Sequence, residues 1–233
     1  GAVRQWVERY HIDGLRLDAA NVMDKTFLSE LSSFCKSLKP DFWLMGEVVG
    51  GDYTQWVCPG RLDSVTNYEC YKGLYSSFND HNLFEIAWSL NRQFGESGLY
   101  RDLALYSFAD NHDVNRVATM LRNPAHLLPL YTLMFSMPGV PSVYYGSEFG
   151  IHGEKKGDDS EIRPALDLVQ LKQDPGAQDI IEPLRRLIKA KMELHPLQYG
   201  GYRQLHLTNE QFAFIRESSQ GFAVTAVNAA DRP

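Results

Sequence analysis

Cysteine, clustered basic residues and long apolar runs are scarce in this sequence, and each shortage closes off a class of protein. Three cysteines in 233 residues, Cys35, Cys58 and Cys70, form neither an even set nor a Cys/His spacing. That argues against a disulfide framework or a thiolate metal site and for reduced structural thiols. No apolar stretch approaches the roughly 18 residues a membrane helix needs, and no signal-peptide pattern is visible. Lysine and arginine nowhere cluster, and the net charge is −6, so neither a nucleic acid nor a membrane is expected as partner. There is no internal repeat and no low-complexity segment. What is present is ordinary globular material, 44% hydrophobic and 12% aromatic, enough to build one large core or two small ones.

Short apolar strand candidates alternate with helical spacings along most of the chain. Val3, Trp6, Val7 and Tyr10 share a helical face, so the sequence reads as starting inside a helix, mid-domain. Strands are expected near 14–19, 43–48, 62–66, 105–110 and 141–145, with helices near 26–38, 67–78, 82–94, 125–137 and 180–194. Alternation of this kind indicates parallel βα units. After Gly200-Gly201 the pattern changes to "RQLHLT", "FAFIRES" and "FAVTAVNAA", which read as antiparallel strands of a second module that stops unfinished. The polar segment 152–164, "HGEKKGDDSEIRP", reads as a loop.

Three carboxylates each follow an apolar strand: Asp18 after "GLRL", Glu47 after "FWLMG" and Asp113 just past "LYSFADNH". One such acid is explained by helix capping. Three, from three strands of a parallel βα architecture, converge on the face where strand C-termini meet and active sites sit. In "DGLRLDAANVM" the leucines alternate with Arg16 and Asp18, so Leu15 and Leu17 are expected to lie under covering helices while the charged pair faces the site.

Taken with their order, "GLRLDAAN", "GEVVG" and "FADNHD" resemble the second, third and fourth signature regions of the α-amylase family, glycoside hydrolase family 13. "GVPSVYYGSEFG" resembles that family's last barrel strand, and "GDDSEIRPALD" resembles a loop of its neopullulanase-like and oligo-glucosidase-like members. The resemblance implies an α/β fold: residues 1–197 as the C-terminal portion, about five βα units, of a TIM (β/α)8 barrel, and residues 198–233 as the start of an antiparallel β-sandwich domain. It implies retaining hydrolysis of α-1,4-glucans or maltooligosaccharides, with an oligosaccharide as the partner and no cofactor needed for the chemistry. It leaves room for a structural calcium, but nothing in these residues indicates one and no metal ligand is assigned.

Residue by residue, Asp18 matches the family's nucleophile, Glu47 its general acid/base and Asp113 its third acid. Arg16 is expected to keep Asp18 ionised, and the apolar run before Glu47 to favour its neutral form. His112 and Asn111 match sugar-contacting neighbours of Asp113. Asn21, Asp52 and Tyr53 fall where the family places leaving-group contacts, and solvated loop residues explain them equally well. Arg163 is a candidate to reach the pocket from its loop. Trp56 reads more readily as packing than as a sugar platform, and Tyr144 and Tyr145 as barrel packing.

The family's first signature, an Asp followed by Asn-His, has no counterpart here, so the pocket is expected to be incomplete. Five βα units cannot close a barrel. Two strand edges should stay open and invite pairing, by oligomerisation or by another segment, and the chain alone is expected to be nearly inactive. Transglycosylation or sugar isomerisation on the same barrel, and a non-catalytic amylase-like scaffold, are the alternative functions. The compartment, cytoplasmic or secreted, is not legible.

Overall fold

A computed structural model describes residues 1–230. The chain forms two compact units, residues 1–69 with 102–106, and residues 70–101 with 107 onward.

The first unit opens with α1 (Ala2–Tyr10), which ends where His11 takes a left-handed conformation, φ 54°, and returns its N–H to the Val7 carbonyl. A short link leads into β1 (Gly14–Leu17). Helix α2 (Lys25–Leu38) starts at Asp24, whose carboxylate accepts the Phe27 N–H at 2.9 Å, an N-cap that satisfies one of the free amides of the first turn. β2 (Trp43–Gly46) and β3 (Ser64–Val65) follow. The three strands are parallel in the order β1-β2-β3, with Gly14 opposite Trp43 and Leu17 opposite Gly46. Gly14 is required by that register, because a Cβ there would stand 2.4 Å from the Trp43 carbonyl oxygen.

β1 stands at the end of this sheet, and its leucines are only half-buried while Arg16 is exposed. The expectation that Leu15 and Leu17 lie wholly under helices is therefore not met. β2, flanked on both sides, buries Leu44, Met45 and Gly46. Its register against β3 is pinned by Asp63, which accepts the Leu44 N–H at 2.7 Å and pairs with Lys36 at 2.8 Å. The connection from β2 to β3 contains no α-helix, only the short 3-10 turn Tyr53–Gln55.

Helix α3 (Tyr68–Asn79) begins on the last residues of the first unit and continues into the second. There follow α4 (Phe84–Phe94), β4 (Tyr106–Phe108), α5 (Val117–Met120), α6 (Leu127–Ser136) and β5 (Val140–Ser142), the last pairing with β4. Helix α6, "LLPLYTLMFS", is apolar on nearly every side, and Leu130, Leu133 and Met134 are wholly buried, as expected of a helix in the middle of a core. The end of the chain supplies α7 (Leu168–Gln173), α8 (Pro175–Glu193) and α9 (His195–Tyr199). The antiparallel sheet β6 (Gly201–Leu207), β7 (Gln211–Ser218) and β8 (Gly221–Asn228) follows. Helix α8 starts five residues before the sequence suggests, because Asp174 caps it and Pro175 occupies its first turn.

The antiparallel sheet is fastened to the helices of its own unit. The Leu83 N–H donates to the Asn209 carbonyl at 2.8 Å, and Asn91 bonds Gln204 at 2.7 Å. Arg216 of β7, almost wholly buried, donates to the carbonyls of Ser136 and Gly200. Lys191 of α8 donates to the carbonyls of Met137 at 3.2 Å and Leu197 at 2.8 Å. These are the chain ends of α6 and α9, where unpaired carbonyls collect. Burial, with the neighbouring Arg216 charge, pulls the Lys191 ammonium down to about 7, and burial pulls Arg216 down to about 10.

Candidate active site

In the first unit, β1 and β2 deliver Asp18 and Glu47 from their C-terminal ends, and Arg16 meets both. Its Nη1 is hydrogen-bonded to Asp18 Oδ1, and its Nη2 lies 2.9 Å from Glu47 Oε2. The sequence suggests an arginine reserved for Asp18, but the guanidinium is shared. The surroundings of the two carboxylates differ sharply: the Asp18 side chain is 80% exposed and that of Glu47 only 13%. Glu47 also accepts the Ala19 N–H at 3.3 Å and the Tyr68 hydroxyl at 3.4 Å.

Ala19 reaches Glu47 because it sits in the left-handed region, φ 44°, a conformation that costs a non-glycine residue about 1–2 kcal/mol. Ala20 is completely buried and packs on Gly46. A Cβ at position 46 would stand 2.7 Å from the Ala20 Cβ and 2.5 Å from Leu62 Cδ1. The two alanines thus answer to close packing of β2 and to the Glu47 contact. Tyr68 is a contact that motif reading missed. Its signal was available, since it stands just past the C-terminal end of β3, on the same rim as Asp18 and Glu47.

The outer candidates of this unit are placed differently. Asn21 is exposed within the short turn Ala20–Val22. Asp52 caps the turn Tyr53–Gln55, accepting the Thr54 N–H at 3.0 Å and the Thr54 hydroxyl at 2.7 Å. Tyr53 is 1% exposed, and its hydroxyl accepts the Glu69 N–H at 3.3 Å, so its side chain is core rather than pocket wall. Trp56, 8% exposed, packs beside Gly51 with Lys25 Nζ 5.8 Å from its ring centre.

In the second unit, the turn after β4 carries Asn111, His112 and Asp113. The Asp113 carboxylate is held from both sides, with His112 Nε2 at 3.0 Å from Oδ2 and Arg163 Nη2 at 3.2 Å from Oδ1. Asn111 Oδ1 accepts the Asp113 N–H at 2.8 Å. Arg163 also donates through Nε to the His112 carbonyl at 2.9 Å and pairs with Asp159 at 2.6 Å. The 152–164 loop is therefore laid against this turn, and the pairing of Asp159 with Arg163 is a contact that reading its motif did not single out. Behind the turn lies a buried set. Asp110 accepts the Val117 N–H at 2.8 Å and the Ser147 hydroxyl at 2.7 Å, and burial raises its carboxyl above the ordinary carboxylate range. Arg116 lies over Tyr144, half-buried and 4.2 Å from the ring centre, and over Tyr145, exposed and 4.9 Å from it.

Cys35, Cys58 and Cys70 are free thiols. Among the described residues no group of three or more His, Cys, Asp or Glu side chains is placed to hold a metal ion, and no helix is long and apolar enough to cross a membrane.

The chain is 26% identical over 213 residues to the intracellular maltogenic amylase of Bacillus subtilis strain 168, an alignment covering 90% of this chain and 35% of that protein. It is 30% identical over 221 residues to a cyclomaltodextrinase of Geobacillus thermopakistaniensis, covering 93% of this chain and 36% of that protein. It thus spans little more than a third of the length of these relatives. Among solved structures, an Anoxybacillus α-amylase superposes with a TM-score of 0.81 at 26% identity, over 97% of this chain and 50% of that one. A cyclomaltodextrinase superposes with a TM-score of 0.84 at 24% identity, over 97% and 39%, a likeness of fold. Residues 1–181 match the model of the α-amylase catalytic domain, and the chain belongs to that family.

Proposed function

We propose that this chain carries the catalytic carboxylates of a retaining glycosidase that hydrolyses α-1,4-linked glucans or maltooligosaccharides. The observation that carries the reading is the shared guanidinium of Arg16, in contact with Asp18 and Glu47 at once. One guanidinium bonded to both carboxylates keeps them near each other, as the roughly 5–5.5 Å spacing of a retaining pair requires.

The difference in surroundings divides the roles. Asp18, open to the approaching sugar, attacks the anomeric carbon. Glu47, sheltered and bonded to Ala19 and Tyr68, gives a proton to the leaving oxygen and then takes one from water. For Glu47 to carry that proton, Arg16 must turn wholly to Asp18 as substrate arrives. Asp113, steadied by His112 and Arg163, binds hydroxyls of the sugar being cleaved. The printed names of the relatives, maltogenic amylase and cyclomaltodextrinase, point to α-glucans as the substrate class.

The test is maltotetraose turnover by the full-length gene product, with the anomer of the first-formed product followed by NMR. The expected result is an α-anomer and a loss of at least about 10⁴-fold in kcat for Asp18→Ala, the order expected when a nucleophile is removed. A β-anomer would refute retention. Products longer than the substrate would favour transglycosylation, absence of turnover in the parent protein would favour a scaffold, and unchanged turnover in Asp18→Ala would remove Asp18 as the nucleophile.

A further inference from the structure

A buried polar frame behind Asp113 has no part in the chemistry above. Asp110 and Arg116 flank the turn 111–115, and both end on one hydroxyl. Ser147 Oγ donates to Asp110 Oδ2 at 2.7 Å and accepts from Arg116 Nη1 at 3.2 Å. Arg116 is 0% exposed and also donates through Nη1 to the Tyr145 carbonyl at 2.6 Å. Its backbone N–H donates to the Gly153 carbonyl at 3.0 Å. Asp110 in addition accepts the Val117 N–H at 2.8 Å, so the first residue of α5 is tied back to the end of β4. The turn bearing Asn111, His112 and Asp113 is thereby closed at its base into a ring through Ser147.

We propose that Ser147, Arg116 and Asp110 are positioning residues for Asp113: the ring they close fixes where the Asp113 carboxylate and the His112 imidazole stand. The proposal rests on the reading of Asp113 as a sugar-binding acid only in what the positioning is for. A stability role alone explains the frame poorly. Taking an acid and a guanidinium out of water costs several kcal/mol, and well-packed apolar residues of like volume are commonly as stable or more so. What a closed polar ring supplies that an apolar core does not is a unique geometry for the segment it encloses. The enclosed segment carries Asp113 and His112. The contacts on the outer side of the turn, from Arg163 and Lys155, come from exposed side chains and would be much weaker restraints on their own.

Ser147→Ala opens the ring while removing a single oxygen atom. Asp110→Asn keeps an acceptor in the same place, whereas Asp110→Ala removes it. Leu90→Ala, a cavity in wholly buried α4 packing, serves as a control of equal or greater thermal cost. In the full-length gene product, Ser147→Ala and Asp110→Ala are expected to lower kcat at least about tenfold with KM within about threefold, as displaced positioning does. Asp110→Asn should retain most of kcat, and so should Leu90→Ala. In the 233-residue chain, exchange of the Asp113 amide, which is bonded to Asn111 Oδ1, is expected to accelerate at least about tenfold in Ser147→Ala over Leu90→Ala.

A kcat for Ser147→Ala no lower than that of Leu90→Ala would overturn the proposal, and so would unchanged Asp113 exchange. If Asp113→Asn itself keeps full turnover, the role assigned to Asp113 falls. The exchange measurement then still decides, by the same two outcomes, whether the frame positions the turn.

Discussion

Lys191 makes the stability of the second unit rise with pH from neutrality upward. Its ammonium is enclosed between the ends of α6 and α9, with Arg216 as a second buried cation beside it. Burial holds it at about 7 in the folded chain against 10.5 for a free lysine. The charged form is thus penalised on folding. At about 1.36 kcal/mol per pH unit the full penalty has a ceiling of about 5 kcal/mol. It is complete below pH 7, where folded and unfolded chains are both protonated, and disappears as pH passes the unfolded value. Between these limits the unfolded state binds more protons, so stability rises with pH. From pH 7 to 8.5 the integrated gain is about 1.5 kcal/mol. Higher pH is less informative, because the Cys35 and Tyr131 groups, raised by burial, then favour the unfolded state. The assay is urea unfolding at pH 7.0 and 8.5, followed by far-UV circular dichroism, with amide exchange in α8 to identify the unit that responds. Lys191→Met should lose the pH-dependent gain, while other titrating groups cancel in the comparison with the parent chain. An equal gain in the variant would refute the reasoning.

Two further outcomes follow from the first unit and from the family match. Gly46→Ala is expected to cost about 1–3 kcal/mol, since its Cβ would meet Leu62 and Ala20 at 2.5 and 2.7 Å and Ala20 cannot yield without its backbone. Gly50→Ala, with nothing within 4 Å, should be nearly neutral in the same thermal melt, and equal losses at the two positions would show that the crowding does not matter. The purified 233-residue chain is expected to hydrolyse maltotriose at least about 10³-fold more slowly than a relative of full family length, because a site without the family's first signature lacks sugar contacts that supply positioning as well as binding. Comparable rates would remove the argument from an incomplete pocket.

Elements with a strong local period were legible in the sequence. The helical spacing over 26–38 and the apolar run "LLPLYTLMFS" declare α2 and α6. The strand alternation of "FAFIRES" and "FAVTAVNAA" likewise declares an antiparallel pair. The start of α8 was not legible, because "DPGAQ" reads as a turn until Asp174 is seen capping the helix with Pro175 in its first turn. Nor was the half-burial of Leu15 and Leu17, since alternation shows which face a residue occupies but not whether another element covers it.

At the candidate site the same distinction separates residues carried by strand ends from residues carried by loops. Asp18 and Glu47 could be singled out because each directly follows the last residue of its strand, which sets the direction of the side chain, and the chain brings the two onto one guanidinium; Asp113, on the turn beyond β4, was marked by its motif alone. Asp52 and Tyr53 lie on a turn, where a carboxylate can serve its own backbone and an aromatic ring can fold inward. They do just that, Asp52 on Thr54 and Tyr53 against the Glu69 amide. Asp159, by contrast, lies within the quoted "GDDSEIRPALD" but was not singled out there, and its part is seen only because Arg163 reaches both it and Asp113. The sharing of Arg16 was invisible for the same reason. Its choice between Asp18 and Glu47 depends on the parallel register that sets Arg16 opposite Met45 and Leu17 opposite Gly46, and that pairing of strands is a tertiary fact. A one-residue slip of β1 against β2 would turn Arg16 to the other face and part it from Glu47. The packing of Ala20 on Gly46, which admits no larger side chain, opposes that slip, and so the small residues beside the acids hold the charged geometry in place.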